Sequence, residues 1–320
     1  MIPPKPRQDS EPHSVIVIGA TGLLGSAISR ANPGCIQFSS SDFDATSYID
    51  TKNYFRMIAE KIENSTIHIA CGVVGGIAQQ DYAMFLNNTK MTINLLECID
   101  EFQATGHTIY YSSSCVYPEG LDRLSETDLM KGQLSSTKQG YAFSKLVGIK
   151  MCEYLNHKRG FKQFTAVIPP NLWGDGDNWD LETCHVLPAI TQKIYTAHRE
   201  GHDTVEIYGS SDTRREFLRS DDVVTAAHLA AASPLEVVNV GSGTDISIGE
   251  CVDGLAERIG YTGRIEYTGG ATGAHKRLLD TTHSTHQGFT PSNNYSDMLD
   301  YMVTQGATHG LSYFNYTRCG

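Results

Sequence analysis

The chain has 320 residues, 40% of them hydrophobic, which is enough for one large α/β domain with a smaller lobe attached. Its formal net charge of −11, from 25 basic and 36 acidic residues, argues against general nucleic-acid binding, and no run of roughly 18 apolar residues is present to cross a membrane. The eight cysteines show no CxxC pair and no zinc-type spacing, so they read mainly as small buried side chains rather than a disulfide frame or a metal site.

Residues 1–13 are polar and proline-rich, without the apolar stretch of a signal peptide, and are expected to form a disordered leader on a cytoplasmic chain. SVIVI at 14–18 predicts a strand, and GATGLLGSAISR after it predicts a Gly-rich turn opening a helix. CIQF at 35–38 predicts a second strand followed by the polar SSSDFD, and 51–63 a helix. TIHIA at 66–70 is a third strand running into CGVVGGI. Met84, Phe85, Met91, Leu95, Cys98, Ile99 and Phe102 recur at helical spacing and predict a long amphipathic helix over 80–104. HTIYYSSS at 107–114 predicts a fourth strand, 141–159 a helix, and FTAVI at 164–168 a fifth strand. PPNLWGDGDNWD at 169–180 reads as a long loop, 186–200 and 220–232 as helices, and 204–207 and 236–240 as strands. The tail from 262 shows only dispersed Gly, Thr and His.

Strands alternating with helices predict an α/β fold: a Rossmann-type doubly wound parallel sheet covered on both faces, with a smaller C-terminal substrate-binding lobe. On this scheme 14–170 form the nucleotide-binding domain, segments at about 215–245 return to it, and 171–320 mainly form the lobe. Ligand sites in such sheets lie at the carboxyl ends of the strands, where GATGLLG, CGVVGGI and SSSCVYP all fall.

Gly19, Gly22 and Gly25 let the backbone turn tightly and approach a pyrophosphate, and the helix N-terminus then supplies N–H donors. Gly19, Thr21, Gly22, Leu23 and Gly25 are therefore candidate dinucleotide contacts, with Ala70 and Pro169 at the ends of the third and fifth strands. After the second strand stand Ser40, Ser41 and Asp42. Their hydroxyls and free N–H groups suit a 2′-phosphate, although no Arg or Lys is there to clamp it, and NADP(H) is preferred to NAD(H).

Tyr141 and Lys145, at i and i+4 in YAFSK, share one helix face. A neighbouring ammonium and a positive nicotinamide favour phenolate, so the pKa of Tyr141 is expected below its usual value near 10. Tyr141 can then exchange a proton with a carbonyl or alcohol oxygen, Lys145 can bond the nicotinamide ribose, and Ser113 can bind the same oxygen as Tyr141.

TGLLG, NTKMTINLLE, SSSCVY and YAFSK together resemble the extended short-chain dehydrogenase/reductase family over most of residues 14–240. CGVVGGI, SSSCVYP, YAFSKLVGIKMCEYLN, PPNLWGDGDNWD, CHVLPAI and TRREFLRSDDVV are similar, more narrowly, to its GDP-L-fucose synthase branch. The resemblance implies NADPH-dependent conversion of GDP-4-keto-6-deoxy-D-mannose to GDP-L-fucose, by epimerisation at C3 and C5 and hydride reduction at C4. It implies a reductase triad of Ser113, Tyr141 and Lys145, and an epimerisation pair of Cys115 and a cationic His185. Ser114, Asn171, His185, Lys193 and Arg215 become candidate contacts for the GDP-sugar, and the long helices are expected to pair two copies into a homodimer. The chain departs from the family at KQGYA, where the family reads EPYA, and beyond HKRLLD (275–280). Three alternatives stay open: a reductase that epimerises one centre or none on a related GDP-4-keto-deoxy sugar of the colitose or deoxyheptose type, an NAD-retaining 4-epimerase, and a regulatory protein that binds NAD(P) without turning it over.

Overall fold

The computed structural model describes residues 14–74, 82–181, 183–269 and 275–312. The expected leader 1–13, the end of CGVVGGI and Cys319 lie outside the described residues. In chain order the first half holds β1 (Val15–Ile18), α1 (Leu23–Ala31), β2 (Ile36–Phe38), α2 (Tyr48–Met57), α3 (Ala59–Ile62), β3 (Thr66–Ile69), α4 (Tyr82–Glu101), β4 (Thr108–Tyr111), α5 (Gln139–Arg159) and β5 (Phe164–Ile168). The second half holds β6 (Asn171–Trp173), α6 (Val186–Glu200), β7 (Thr204–Ile207), β8 (Arg214–Arg215), β9 (Phe217–Arg219), α7 (Ser220–Ala232), β10 (Val237–Asn239), β11 (Ile246–Ser247), α8 (Ile248–Ile259), β12 (Arg264–Tyr267), α9 (Thr282–His286) and α10 (Tyr295–Ser312).

Six parallel strands form the central sheet in the order β10-β5-β4-β3-β1-β2. The order reverses beside β1, which opens a crevice between the carboxyl ends of β1 and β3. The strands are apolar runs because both faces are covered: Ile16, Val17 and Ile18 are all buried. One face packs on Leu95, Leu96 and Ile99 of α4 and Ile149 of α5. The other packs on Ala27 and Ile28 of α1 and on Val223, Ala226 and Ala227 of α7, whose small side chains let that helix lie close. A second core joins Leu187, Ile190 and Ile194 of α6, Val205 and Ile207 of β7, Leu255 of α8, and Met298 and Met302 of α10. Trp173 and Trp179 belong to this second core, so the long loop is anchored by its tryptophans.

The structure adds detail that periodicity missed. The helix expected over 51–63 is broken at Ile58, whose φ of −110° and ψ of 14° leave the helical region, giving α2 and α3. The loop at 169–180 contains β6, which pairs with β9. Helices α8 and α10 stand where no helix was expected. α8 starts with a reciprocal cap, Ser247 Oγ accepting from Glu250 N at 3.0 Å and the Glu250 carboxylate accepting from Ser247 N at 2.7 Å. Asn294 and Asp297 cap the start of α10 in the same way, at 2.9 and 3.1 Å.

Glu216, buried between β8 and β9, draws three segments together by accepting from Leu279 N (2.8 Å), Gly243 N (2.8 Å) and Ser242 Oγ (3.3 Å). Burial pushes its carboxyl up to about 7. An unfolded glutamate releases its proton near 4.5, so the folded chain binds more protons between those values and loses stability as pH rises through them, by up to roughly 3 kcal/mol. Glu216→Gln cannot ionise. It is expected to be less stable than the native chain at pH 5 and to recover relative to it by pH 8, as read by urea unfolding at both pH values. A pH-independent difference would count against this account.

Candidate active site

The crevice begins at the Gly-rich turn. Gly19 has φ +91°, donates to Phe38 O at 2.8 Å, and would place a Cβ only 2.7 Å from the Cys71 backbone. A Cβ on Gly25 would sit 1.9 Å from Gly19 O, so α1 lies hard against the turn. No side chain caps α1 at Gly22, which leaves its first turn with donors for an anion. Ser40, Ser41 and Asp42 are exposed at the end of β2, as Thr21 is beside the turn. Asp42 Oδ2 accepts from Ser39 N (2.8 Å) and Ser39 Oγ (3.0 Å), and Ser39 Oγ meets Ser41 Oγ at 2.7 Å, so the serines form a compact polar shelf.

A cavity of about 240 Å³ runs from Gly22 and Leu23 past Ala70 and Pro169. Its inner wall carries Ser113, Cys115, Tyr141, Lys145 and His185. The strand-end serines diverge: Ser113 Oγ accepts from Cys115 N at 3.4 Å and faces the cavity, and Ser114 is buried and bonds through its backbone, donating to Pro169 O at 3.0 Å. That turn places Cys115 in the wall. The seven described cysteines are all free thiols. Gly148 has no room for a Cβ, which would lie 2.1 Å from the Tyr110 ring, and this close approach seats α5 so that Tyr141 and Lys145 face the strand ends.

A second cavity, of about 280 Å³, adjoins the first, and Lys138, Asn171 and His185 line both. Lys193 and Arg215 line the second. Lys193 is exposed and donates to Glu206 O at 3.0 Å; Arg215 donates to Arg214 O at 2.7 Å; Asn171 Nδ2 donates to Glu216 O at 3.0 Å. Cys184 also lines it, its thiol pushed up to about 11 by burial.

The electrostatics of the site differ from the expectation in two respects. Tyr141 is held above its usual value by burial and by Cys115 and Tyr110, so its phenol stays protonated. Lys145 is held below its usual value by burial; its ammonium donates to Tyr111 O at 3.1 Å and stands 5.9 Å from the centre of the Tyr141 ring, rather than bonding the phenol. His185, expected as imidazolium, is instead held below its usual value by its enclosed position and by the Lys138 ammonium. Its ring still opens on the cavity.

Three contributors were not foreseen. Asn88 of α4 clamps the strand-end loop, accepting from Val73 N at 2.7 Å and donating to Val73 O at 2.9 Å. Arg277 donates to Ser114 O at 2.8 Å and holds the Ser113–Cys115 turn from the C-terminal side. Lys138, just before α5, borders both cavities. Their only sequence signals are the asparagine in NTK, the basic pair in HKRLLD and the lysine that opens KQGYA.

A doubly wound parallel sheet with a Gly-rich turn after its first strand and a Ser–Tyr–Lys set at its carboxyl edge defines an extended short-chain dehydrogenase/reductase. The chain belongs to the NAD dependent epimerase/dehydratase family, whose model matches residues 15–249. It is 33% identical to the GDP-L-fucose synthase of Azorhizobium caulinodans over 294 residues, 88% of this chain and 92% of that one. It is 30% identical to the GDP-L-colitose synthase of Yersinia pseudotuberculosis, over 84% of this chain and 89% of that one. Its fold superposes on a GDP-L-fucose synthetase from Naegleria fowleri bound to NADP, with a TM-score of 0.80 and 23% identity over 95% of this chain and 96% of the other.

Proposed function

We propose that the chain is an NADPH-dependent GDP-sugar epimerase/reductase that converts GDP-4-keto-6-deoxy-D-mannose to GDP-L-fucose. The observation that carries this is the wall shared by one cavity: a Ser113–Tyr141–Lys145 set suited to ketone reduction, with Cys115 and His185 beside it. A plain reductase needs only the first set. The similarity to the Azorhizobium caulinodans enzyme supports the substrate.

The residues present fit a dinucleotide. The α1 N-terminus lacks a side-chain cap, its first residues Gly22 and Leu23 line the cavity, and the glycines let the turn, α1 and the Cys71 backbone pack together where a Cβ would not fit. Gly19, Thr21, Gly22, Leu23 and Gly25 would hold it, with Ala70, Pro169, Tyr141 and Lys145 along the nicotinamide half. The serine shelf of Ser40 and Ser41, with Asp42, would meet the adenosine ribose and its 2′-phosphate. When bound, NADPH supplies the hydride for C4.

The chain's own groups handle the protons. A C4 ketone acidifies the hydrogens on C3 and C5, and Cys115 takes one from one face while His185 returns one on the other. Ser113 and Tyr141 donate to the oxygen as enolate charge develops. Tyr141, a protonated phenol, then gives its proton to that oxygen. The diphosphate of the substrate, held by Arg215, Lys193 and Asn171, brings negative charge beside Lys138; Ser114, expected as a further contact, is buried and lines neither cavity. That charge raises the proton affinity of His185, which the ligand-free site holds down.

Incubation in D₂O with NADPH or NADH tests the reading. Stoichiometric NADPH oxidation with deuterium at C3 and C5 is expected; no deuterium at either carbon would sink the epimerase claim, and cofactor retention would point to a 4-epimerase. Deuterium confined to one carbon would point instead to a single-centre enzyme on a related deoxy sugar.

Residues 14–170, with 215–245 returning, would carry the dinucleotide, and the rest of 171–320 mainly the sugar. A cytoplasmic homodimer fits this role. It is supported by exposed Ile93, Phe143 and Tyr154 on the neighbouring α4 and α5, and no helix among the described residues is long and apolar enough to cross a membrane.

A further inference from the structure

A GDP-sugar that brings its ketone to Tyr141 and its diphosphate to Arg215 must occupy both cavities, because Tyr141 lines only the first and Arg215 only the second. Three residues line both: Lys138, Asn171 and His185. The two phosphates that join nucleoside to sugar therefore cross the boundary these residues mark. Lys138 is the cation among them. Asn171 is neutral and already donates to Glu216 O at 3.0 Å, and His185 is held below its usual value by its enclosed position and by Lys138.

The Lys138 ammonium is uncommitted. It is half-buried, and no ion pair or hydrogen bond ties it to any described residue. Lys193 and Arg215, the other cations of the second cavity, already donate to Glu206 O at 3.0 Å and to Arg214 O at 2.7 Å. Burial holds the Lys138 ammonium below its ordinary value, with Cys115 opposing the shift and the Arg277 and Arg215 guanidinia adding to it. Among the described residues no aspartate or glutamate lines either cavity, although the chain has 36 of them. An enclosed cation without a counter-charge is costly, and here the counter-charge has to arrive with a ligand. A phosphate where the cavities meet supplies it.

Lys138 is also the residue just before α5, three positions ahead of Tyr141, so one helix start places both the cation and the phenol. It opens KQGYA, where the chain departs from its family, and the resemblance therefore assigns it no role. We propose that Lys138 is a further substrate-binding residue, whose ammonium takes the sugar-linked phosphate of the GDP-sugar. The assignment rests on the GDP-sugar reading of the site and adds to it the group that meets the second phosphate.

The test is isothermal titration of GDP and of GMP into the full chain holding NADP. GDP carries the sugar-linked phosphate and GMP lacks it. Lys138→Met is expected to weaken GDP by about ten-fold, the worth of one charge-assisted hydrogen bond, and to leave GMP within about two-fold of the native affinity. NADP affinity, titrated separately, is expected to stay unchanged and reports that the fold is intact. Lys138→Arg, which keeps the charge and the donors, is expected to recover most of the GDP affinity, and Lys138→Gln serves if the methionine variant does not fold. Unchanged GDP affinity in a folded Lys138→Met chain would overturn the proposal. So would an equal loss for GMP, a loss for NADP in place of GDP, or a folded Lys138→Arg chain as weak as Lys138→Met. Each of these leaves the GDP-sugar reading standing, whereas a native chain that binds neither GDP nor GMP would sink that reading and the proposal with it.

Discussion

Cys115→Ser is expected to lower solvent-deuterium wash-in at C3 and C5 by about 10²–10⁴-fold, the usual worth of a positioned general base, while leaving dinucleotide binding unchanged. Serine fills nearly the same space in a wall where Cys115 is 6% exposed, so the change is chemical rather than steric. A hydroxyl is a far weaker acid than a thiol, and even beside Lys138 and Arg277 it stays protonated at neutral pH. Ser113, Tyr141 and Lys145 are untouched. The variant should therefore still reduce a ketone whose C3 and C5 centres are already inverted, and NADPH titration with a pre-inverted substrate reads this directly. Equal loss of reduction and wash-in would show that Cys115 shapes the whole cavity instead of handling one proton.

Tyr141→Phe should have the opposite signature: NADPH oxidation falls by about 10²–10⁴-fold, and wash-in falls less, since Ser113 still donates to the enolate oxygen. The pH profile carries more information than the rate. Burial and the neighbouring Cys115 and Tyr110 hold the Tyr141 phenol above its usual value, so the proton-donating form persists through neutral pH and beyond. Reduction in the native chain is expected to be flat from pH 6 to pH 9 with respect to this group. A rate rising steeply between pH 7 and pH 9 would mean that phenolate is the working form, and the donor role would fail.

Much of the nucleotide-binding half was legible because its signals are local. β1, the turn and α1 follow from SVIVI and three glycines, and the helix expected over 141–159 is α5, which ends at Gly160 with φ +73°. The helix over 186–200 and the strand at 204–207 were read to the residue for the same reason. What was missed had no period to show. β6 has three residues, and its existence depends on β9, more than 40 positions away. α8 and α10 did carry a signal, the Ser–x–x–Glu and Asn–x–x–Asp capping pairs, which a search for apolar spacing passes over.

In the site, the residues that motifs singled out meet around one cavity: Ser113, Cys115, Tyr141, Lys145 and His185. Their protonation was less legible. The expected low Tyr141 value followed from Lys145 in the same motif, and the cationic His185 from the family resemblance, whereas enclosure and the position of Lys138 are properties of the packed chain. Arg277 could not be placed from sequence at all, because its partner Ser114 is 163 residues away.

That separation also orders events during synthesis. At about 5–20 residues per second, a ribosome takes roughly 8–30 s to add the 163 residues between Ser114 and Arg277. Five of the six strands of the central sheet are already made when residue 168 is added, and β10 closes the edge 71 residues later. Through this interval the Cys115 turn lacks the guanidinium that bonds Ser114 from the C-terminal side. The newborn chain thus carries Cys115 on an unfinished wall, and any chaperone that guards that wall must act before Arg277 arrives.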